Sequence, residues 1–207
     1  MIKPTTQQPN PTPAAHDELI LVVKRSLLIQ HPWYGMRTQN VSQFLESVVT
    51  HQEFLPRSLM EQDPTYKQVI PYIVFNHAGK YFLMQRRADA SEKRLQNKYT
   101  LGIGGHIRQE DMVSNDIIDW ATREFNEEIA YSGSLTWQPL GILNDDSNAV
   151  GQVHVGVVLL ARGDSHNISI KSELKSGKLV TLEECKTLYD HMETWSQFIV
   201  DYLKPPA

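Results

Sequence analysis

Three glutamates fall within the string Arg123-Glu124-Phe125-Asn126-Glu127-Glu128, and a glycine pair, Gly104-Gly105, lies a loop before it. On a helix, residues three and four apart are neighbours, so Glu124, Glu127 and Glu128 project into one sector of about 100°. Like charges at that spacing repel by a few tenths of a kcal/mol per pair in a solvated helix, and by more when partly buried. A divalent cation relieves that repulsion. Three hard oxygen ligands with space for water suit Mg²⁺, or Mn²⁺ as a substitute, better than zinc, which usually takes His or Cys. Such an ion bridges phosphate oxygens, neutralises developing charge and lowers the pKa of an attacking water. The glycine pair lets backbone approach a ligand closely, and Arg123 is placed to hold one carboxylate by a bidentate bond. An isolated string of this kind is most often a solvated helix face; the upstream strand and Gly-Gly bend favour the metal site.

The helix that carries these residues is expected from about Asp116 to Tyr131, capped by Asn115, with Ile118, Ala121, Phe125 and Ile129 as its apolar stripe. Val69–Phe75 and Lys80–Gln85 read as a hairpin closed by Asn76-His77-Ala78-Gly79, and Tyr99–Ile103 as a short strand running into the glycine pair. Leu19–Val23 reads as a buried strand, Asn40–Thr50 as a helix capped by Asn40, Leu140–Leu143 and Val153–Ala161 as strands, and Leu182–Leu203 as mostly helical behind Thr181. Interleaving without regular βαβ spacing predicts a mixed sheet with helices packed on it.

At the acidic string the sequence resembles the Nudix family, whose signature is G-x5-E-x7-R-E-U-x-E-E-x-G-U with U apolar. Gly105 matches the first glycine and Arg123 to Glu128 match the R-E-U-x-E-E core without a gap. Seventeen residues separate Gly105 from Arg123, more than the signature has, so its first glutamate has no unique equivalent. Counting forward from Gly105 gives Asp111; counting back from Arg123 gives Asn115, beside Asp116. The late glycine is Ala130. The string Gly102-Ile103-Gly104-Gly105-His106-Ile107 is also similar to a bacterial subgroup of that family with an extended loop.

The resemblance implies an α-β-α sandwich of α+β or α/β type with a mixed central sheet, and Mg²⁺-dependent hydrolysis of a phosphoanhydride bond in a nucleoside diphosphate linked to another group. It implies that Glu124, Glu127 and Glu128 bind the ion with the Gly104 carbonyl, that Arg123 orients a glutamate, and that one carboxylate deprotonates the water. An additional base from outside the core would be Glu173, Asp145 or Asp146. The rival reading is a nucleotide-binding or regulatory module that kept the fold and lost turnover.

Around this core, Arg86 and Arg87 leave the second hairpin strand, where either could grip a phosphate through its planar fork. With Gly105 and His106 they are the candidate substrate-binding residues; a surface role for His106 is as plausible a reading. His154, alone in an apolar strand, reads as structural. Among the tryptophans, Trp120, one turn before Glu124, is the first candidate to stack on a base, against the commoner role of core filling.

A net charge of −4 gives no attraction for a nucleic-acid polymer, whereas a small phosphorylated substrate needs only local cations. Nothing approaches the roughly 20 apolar residues of a membrane helix. One cysteine, Cys185, excludes an internal disulfide and fits a reducing cytoplasm. Residues 1–16 read as a Pro-rich tail, 17–66 as a strand-helix extension outside the resemblance, and 67–204 as the hydrolase-like domain. The apolar runs of the extension suggest a homodimer interface.

Overall fold

The structure is a computed structural model, which describes residues 17–86, 97–171 and 174–204. The Pro-rich tail of residues 1–16 and the candidates Arg87 and Glu173 lie outside the described residues.

In chain order the first elements are β1 (Leu19–Lys24), α1 (Arg25–Leu28), β2 (Gly35–Arg37), α2 (Val41–His51), β3 (Glu53–Pro56) and α3 (Arg57–Met60). The hairpin follows as β4 (Tyr66–His77) and β5 (Lys80–Arg86), then β6 (Tyr99–Thr100), β7 (Gly102–Ile103), α4 (Ile117–Glu128) and β8 (Ile129–Tyr131). The rest is β9 (Leu135–Asn144), α5 (Ala149–Val153), β10 (His154–Gly163), β11 (Ile168–Ile170), β12 (Leu174–Val180), α6 (Leu182–Thr187) and α7 (Thr194–Leu203).

The main sheet runs β12-β5-β4-β10-β9-β2, while β11 and β8 form a separate pair. β4 and β10 are parallel and the other strand pairings among the described residues are antiparallel, so the sheet is mixed. One edge of β4 is taken by β10 and the other is shared along its length by β1, β7 and β5. A strand paired on both edges and covered on both faces reads as a continuous apolar run. Val69, Ile73 and Phe75 of β4 meet Phe44 and Val48 of α2 and Trp120, Ala121 and Phe125 of α4 on one face. Tyr72 and Val74 meet Cys185 of α6 and Ile199 and Val200 of α7 on the other. The result is the expected α-β-α sandwich. Among the described residues no helix is long and apolar enough to cross a membrane.

Several local expectations are corrected. The hairpin turn is only Ala78-Gly79, both at positive φ of 48° and 78°, the backbone that a two-residue turn between twisted strands requires. Asn40 occupies the N-cap position of α2 but in a left-handed conformation with no side-chain cap bond. α4 is capped by Asp116, whose carboxylate accepts from the Ile118 amide at 2.8 Å; Asn115 instead accepts from Gln52. The helix stops at Glu128 because Ile129 turns extended and β8 pairs with β11. The expected strand over Tyr99–Ile103 is broken at Leu101, and Val153 ends α5 instead of starting β10.

Candidate active site

Gly105 is packed against the acidic helix: a Cβ there would lie 2.4 Å from Glu124 Oε1, and one on Gly104 would lie 2.6 Å from the Pro71 carbonyl. At Gly104 the obstacle is backbone, so glycine is needed there, whereas at Gly105 a side chain would have to displace the Glu124 carboxylate. Glu124 is 6% exposed. Its carboxyl is pushed up to about 7 by burial, with Arg123 opposing the rise and Glu127 and Glu128 adding to it.

Arg123 knits the carboxylates to the bend. Its Nη2 donates to the His106 carbonyl at 3.0 Å and to Glu124 Oε2 at 3.2 Å, while Nη1 lies 2.7 Å from Glu127 Oε1 and 3.4 Å from Asp111 Oδ2. Arg108 forms the second tie, to Asp111 at 2.5 Å and to Glu127 at 3.1 Å. The structure thus brings Asp111, and neither Asn115 nor Asp116, into the acidic cluster. The sequence carried no sign of Arg108, which sits in a loop without periodicity.

Gly105, Arg108, Arg123, Glu124 and Glu127 line a cleft of about 1090 Å³ together with Glu128, Arg86, His154 and Trp195. Parallel pairing places the first residue of β10, His154, opposite Gln68 of β4 at this end of the sheet. His106 Nε2 lies 2.6 Å from Gln68 Oε1 and 3.3 Å from His154 Nε2. Burial, then the charge of Arg57 and the neighbouring His154, push the His106 imidazole down to about 3, so it is neutral near pH 7. Gln68 did not stand out in the sequence, and His154, which reads there as structural, lines the cleft.

Arg86 is ion-paired with Glu193, itself only 7% exposed. Asp145 lines the cleft, but its carboxylate accepts from Ser147 N, Ser147 Oγ and Asn148 Nδ2, which fix the turn before α5. Asp146 is taken up by Arg25, Lys67 and Asn144. Trp120 is buried in the core and donates to the Ser114 carbonyl; the cleft tryptophan is Trp195, edge-to-face with Tyr72.

Among the described residues no three His, Cys, Asp or Glu side chains converge on one point. The chemistry of the donors nevertheless fits a hard cation: a buried carboxylate held near neutrality, two more on the same helix sector, and a cleft wide enough for a phosphorylated ligand and water.

No family model matches the chain. Protein YmaB of Bacillus subtilis (strain 168) is 32% identical to it over 203 residues, covering 91% of this chain and 98% of YmaB. The crystal structure of Tm1382, assigned to the Nudix hydrolases, matches at a TM-score of 0.77 and 31% identity, over 90% of this chain and 98% of Tm1382. The Nudix domain of Shewanella oneidensis NrtR, complexed with ADP ribose, matches in fold at a TM-score of 0.50 and 17% identity, over 67% of this chain and 89% of its own. The first two matches extend well beyond residues 67–204 and so take in N-terminal strands.

Proposed function

The chain belongs to the Nudix hydrolase family, and on that premise we propose that it hydrolyses a phosphoanhydride bond in a nucleoside diphosphate linked to another group, using water and Mg²⁺. The observation that carries the reading is Glu124: a carboxylate buried under the Gly105 bend, at the wall of a cleft, with two more carboxylates one turn on. Burying such a group is costly unless a positive charge compensates it.

Glu124, Glu127 and Glu128 with the Gly104 carbonyl would hold the ion. When bound, it supplies polarised phosphate oxygens and a water of lowered pKa. Glu124, on the cleft wall beside Glu127 and Glu128, is the assigned acceptor of the water proton. Arg123 is a positioning residue that keeps Glu127 and the His106 carbonyl in register. Arg86, oriented by Glu193 at the cleft wall, is assigned to the substrate phosphates, with Gly105 and His106 beside them. Asp145, which already accepts three hydrogen bonds, is given no part in the chemistry. The NrtR domain holds a member of the proposed substrate class, ADP ribose, in the same fold.

The test is release of phosphate or pyrophosphate by the full chain with Mg²⁺ across nucleoside diphosphate sugars, ADP ribose, dinucleoside polyphosphates and pyrophosphorylated lipids. Turnover on a nucleoside diphosphate class is expected, with Glu127→Gln and Glu128→Gln lowering kcat by roughly 10²-fold or more, the scale of losing one fixed electrostatic partner. No Mg²⁺-dependent turnover on any class would move the assignment to a nucleotide-binding module.

A further inference from the structure

We propose that Arg108 is a substrate-binding residue, holding one phosphate of the diphosphate while Arg86 holds the other, so that two guanidiniums bracket the carboxylates of α4. The inference rests on the proposed reading insofar as the cleft takes a nucleoside diphosphate.

A guanidinium presents its donors in a rigid planar fork, with more than one edge able to bond. Arg108 gives one edge to the protein: Nε donates to Asp111 Oδ2 at 2.5 Å and Nη2 to Glu127 Oε1 at 3.1 Å. Among the described residues Nη1 makes no hydrogen bond, and Glu18 stands 4.0 Å from it. The side chain is 28% exposed and lines the cleft, which leaves those donors to a ligand. Fixing one edge of the fork fixes where the other donors point, the condition for a preorganised contact.

The backbone holds the same position. Arg108 forms an antiparallel bridge with Ile20 of β1, the Leu21 amide donates to the Ile107 carbonyl at 2.8 Å, and the Asp111 amide returns to the Arg108 carbonyl at 3.1 Å. The N-terminal strand thus carries the loop of Arg108 to the cleft. Neighbouring guanidiniums are more fully engaged. Arg57 is matched by Glu18 and Glu61, both at 2.9 Å, and both Nη atoms of Arg123 are turned to the His106 carbonyl, Glu124 and Glu127. Asp111 and Glu127 are shared between Arg108 and Arg123, so neither carboxylate neutralises Arg108 alone.

Glu127 and Glu128 are consecutive and point about 100° apart around α4. Arg108 lies on the first, and the charge of the second acts on Arg86. The two arginines therefore approach the acidic sector from different sides, and a pair of adjacent phosphates offers each of them its own oxygens. A purely structural Arg108 would only keep Glu127 and Asp111 in place. The two roles differ in sign toward a cation: removing a guanidinium beside a carboxylate strengthens cation binding there, whereas losing a needed tie weakens it.

The full chain in Mg²⁺ is titrated calorimetrically with α,β-methylene ADP ribose, which carries both phosphates and cannot be cleaved between them, and with AMP, which carries one. Arg108→Gln should weaken the diphosphate analogue at least roughly tenfold, the size of a lost charge-assisted hydrogen bond, and Arg108→Lys by less. AMP should respond to only one of Arg108→Gln and Arg86→Gln. Mn²⁺ binding without nucleotide, followed by water-proton relaxation, should be unchanged or tighter in Arg108→Gln, which also shows that the variant keeps its folded site. Undiminished affinity of Arg108→Gln for the analogue, a loss of Mn²⁺ affinity as large as the loss for the analogue, an equal response of AMP to both variants, or a wild type that does not bind the analogue overturns the proposal. Binding that follows this pattern without Mg²⁺-dependent turnover would sink the hydrolase reading alone.

Discussion

Gly105→Ala would set a carbon 2.4 Å from Glu124 Oε1, so either the carboxylate or the bend must move. Overpacking of this kind costs about 1–3 kcal/mol, but the larger expected effect is on chemistry: turnover at least about 10-fold lower, because small misplacements at a reacting centre lower rates steeply. Steady-state kinetics beside a thermal melt check it, and a variant that melts earlier yet keeps wild-type turnover refutes it. The residues of α4 were legible because helical spacing alone groups Glu124, Glu127 and Glu128. Arg108 and Asp111 join them by closure of an irregular loop, and Gln68 and His154 by register between parallel strands, neither of which leaves a local period in the sequence. Trp120 had the right spacing from Glu124 but points into the core, since it shares the face of α4 that carries Ala121 and Phe125.

At the scale of elements, α4 depends on how it starts and stops. Asp116→Ala removes the carboxylate that accepts from Ile118 N, for an expected loss of about 0.5–2 kcal/mol. Urea unfolding should show a lower midpoint with an unchanged m-value; Asn115→Ala should leave the midpoint nearly where it was, as Asn115 does not cap. The hairpin, α2 and the strands of the central sheet were readable from apolar runs and turn residues. β2, β3 and β11 were not, being three or four residues long with no alternation to detect. β12 reads Leu-Lys-Ser-Gly-Lys-Leu-Val, and only its partner β5 makes it a strand. The end of α4 escaped for the same reason: Ile129 continues the apolar stripe, and what turns it extended is the pairing of β8 with β11, about forty residues downstream.

Across the whole molecule, the N-terminal segment is bound to the remainder through both sheet and charge. β1 pairs with β4 and its Leu21 amide donates to the Ile107 carbonyl in the loop that bears His106. Arg25 and Lys67 both reach Asp146, across 121 and 79 positions respectively. Lys67 is fully buried and also donates to the Gly151 and His154 carbonyls, so the clamp fixes α5 and the start of β10 at the cleft. Desolvation lowers the Lys67 ammonium despite its partner. For Asp146 burial acts upward, yet hydrogen bonds from Arg25, Asn144 and Lys67 outweigh it and hold the carboxyl well below its usual range. A depressed carboxyl contributes stability that is fully present above its unfolded value of about 3.9 and is lost as pH falls toward the folded value. Asp146→Asn should therefore destabilise the protein at pH 7 by about 3 kcal/mol, the lower end for breaking a buried pair, because Asp146 is 28% exposed. The gap between wild type and variant should narrow below about pH 4. Urea titrations of both proteins from pH 7 to about pH 3 would decide it: parallel stability curves over that range would mean that the clamp is not what joins the two parts.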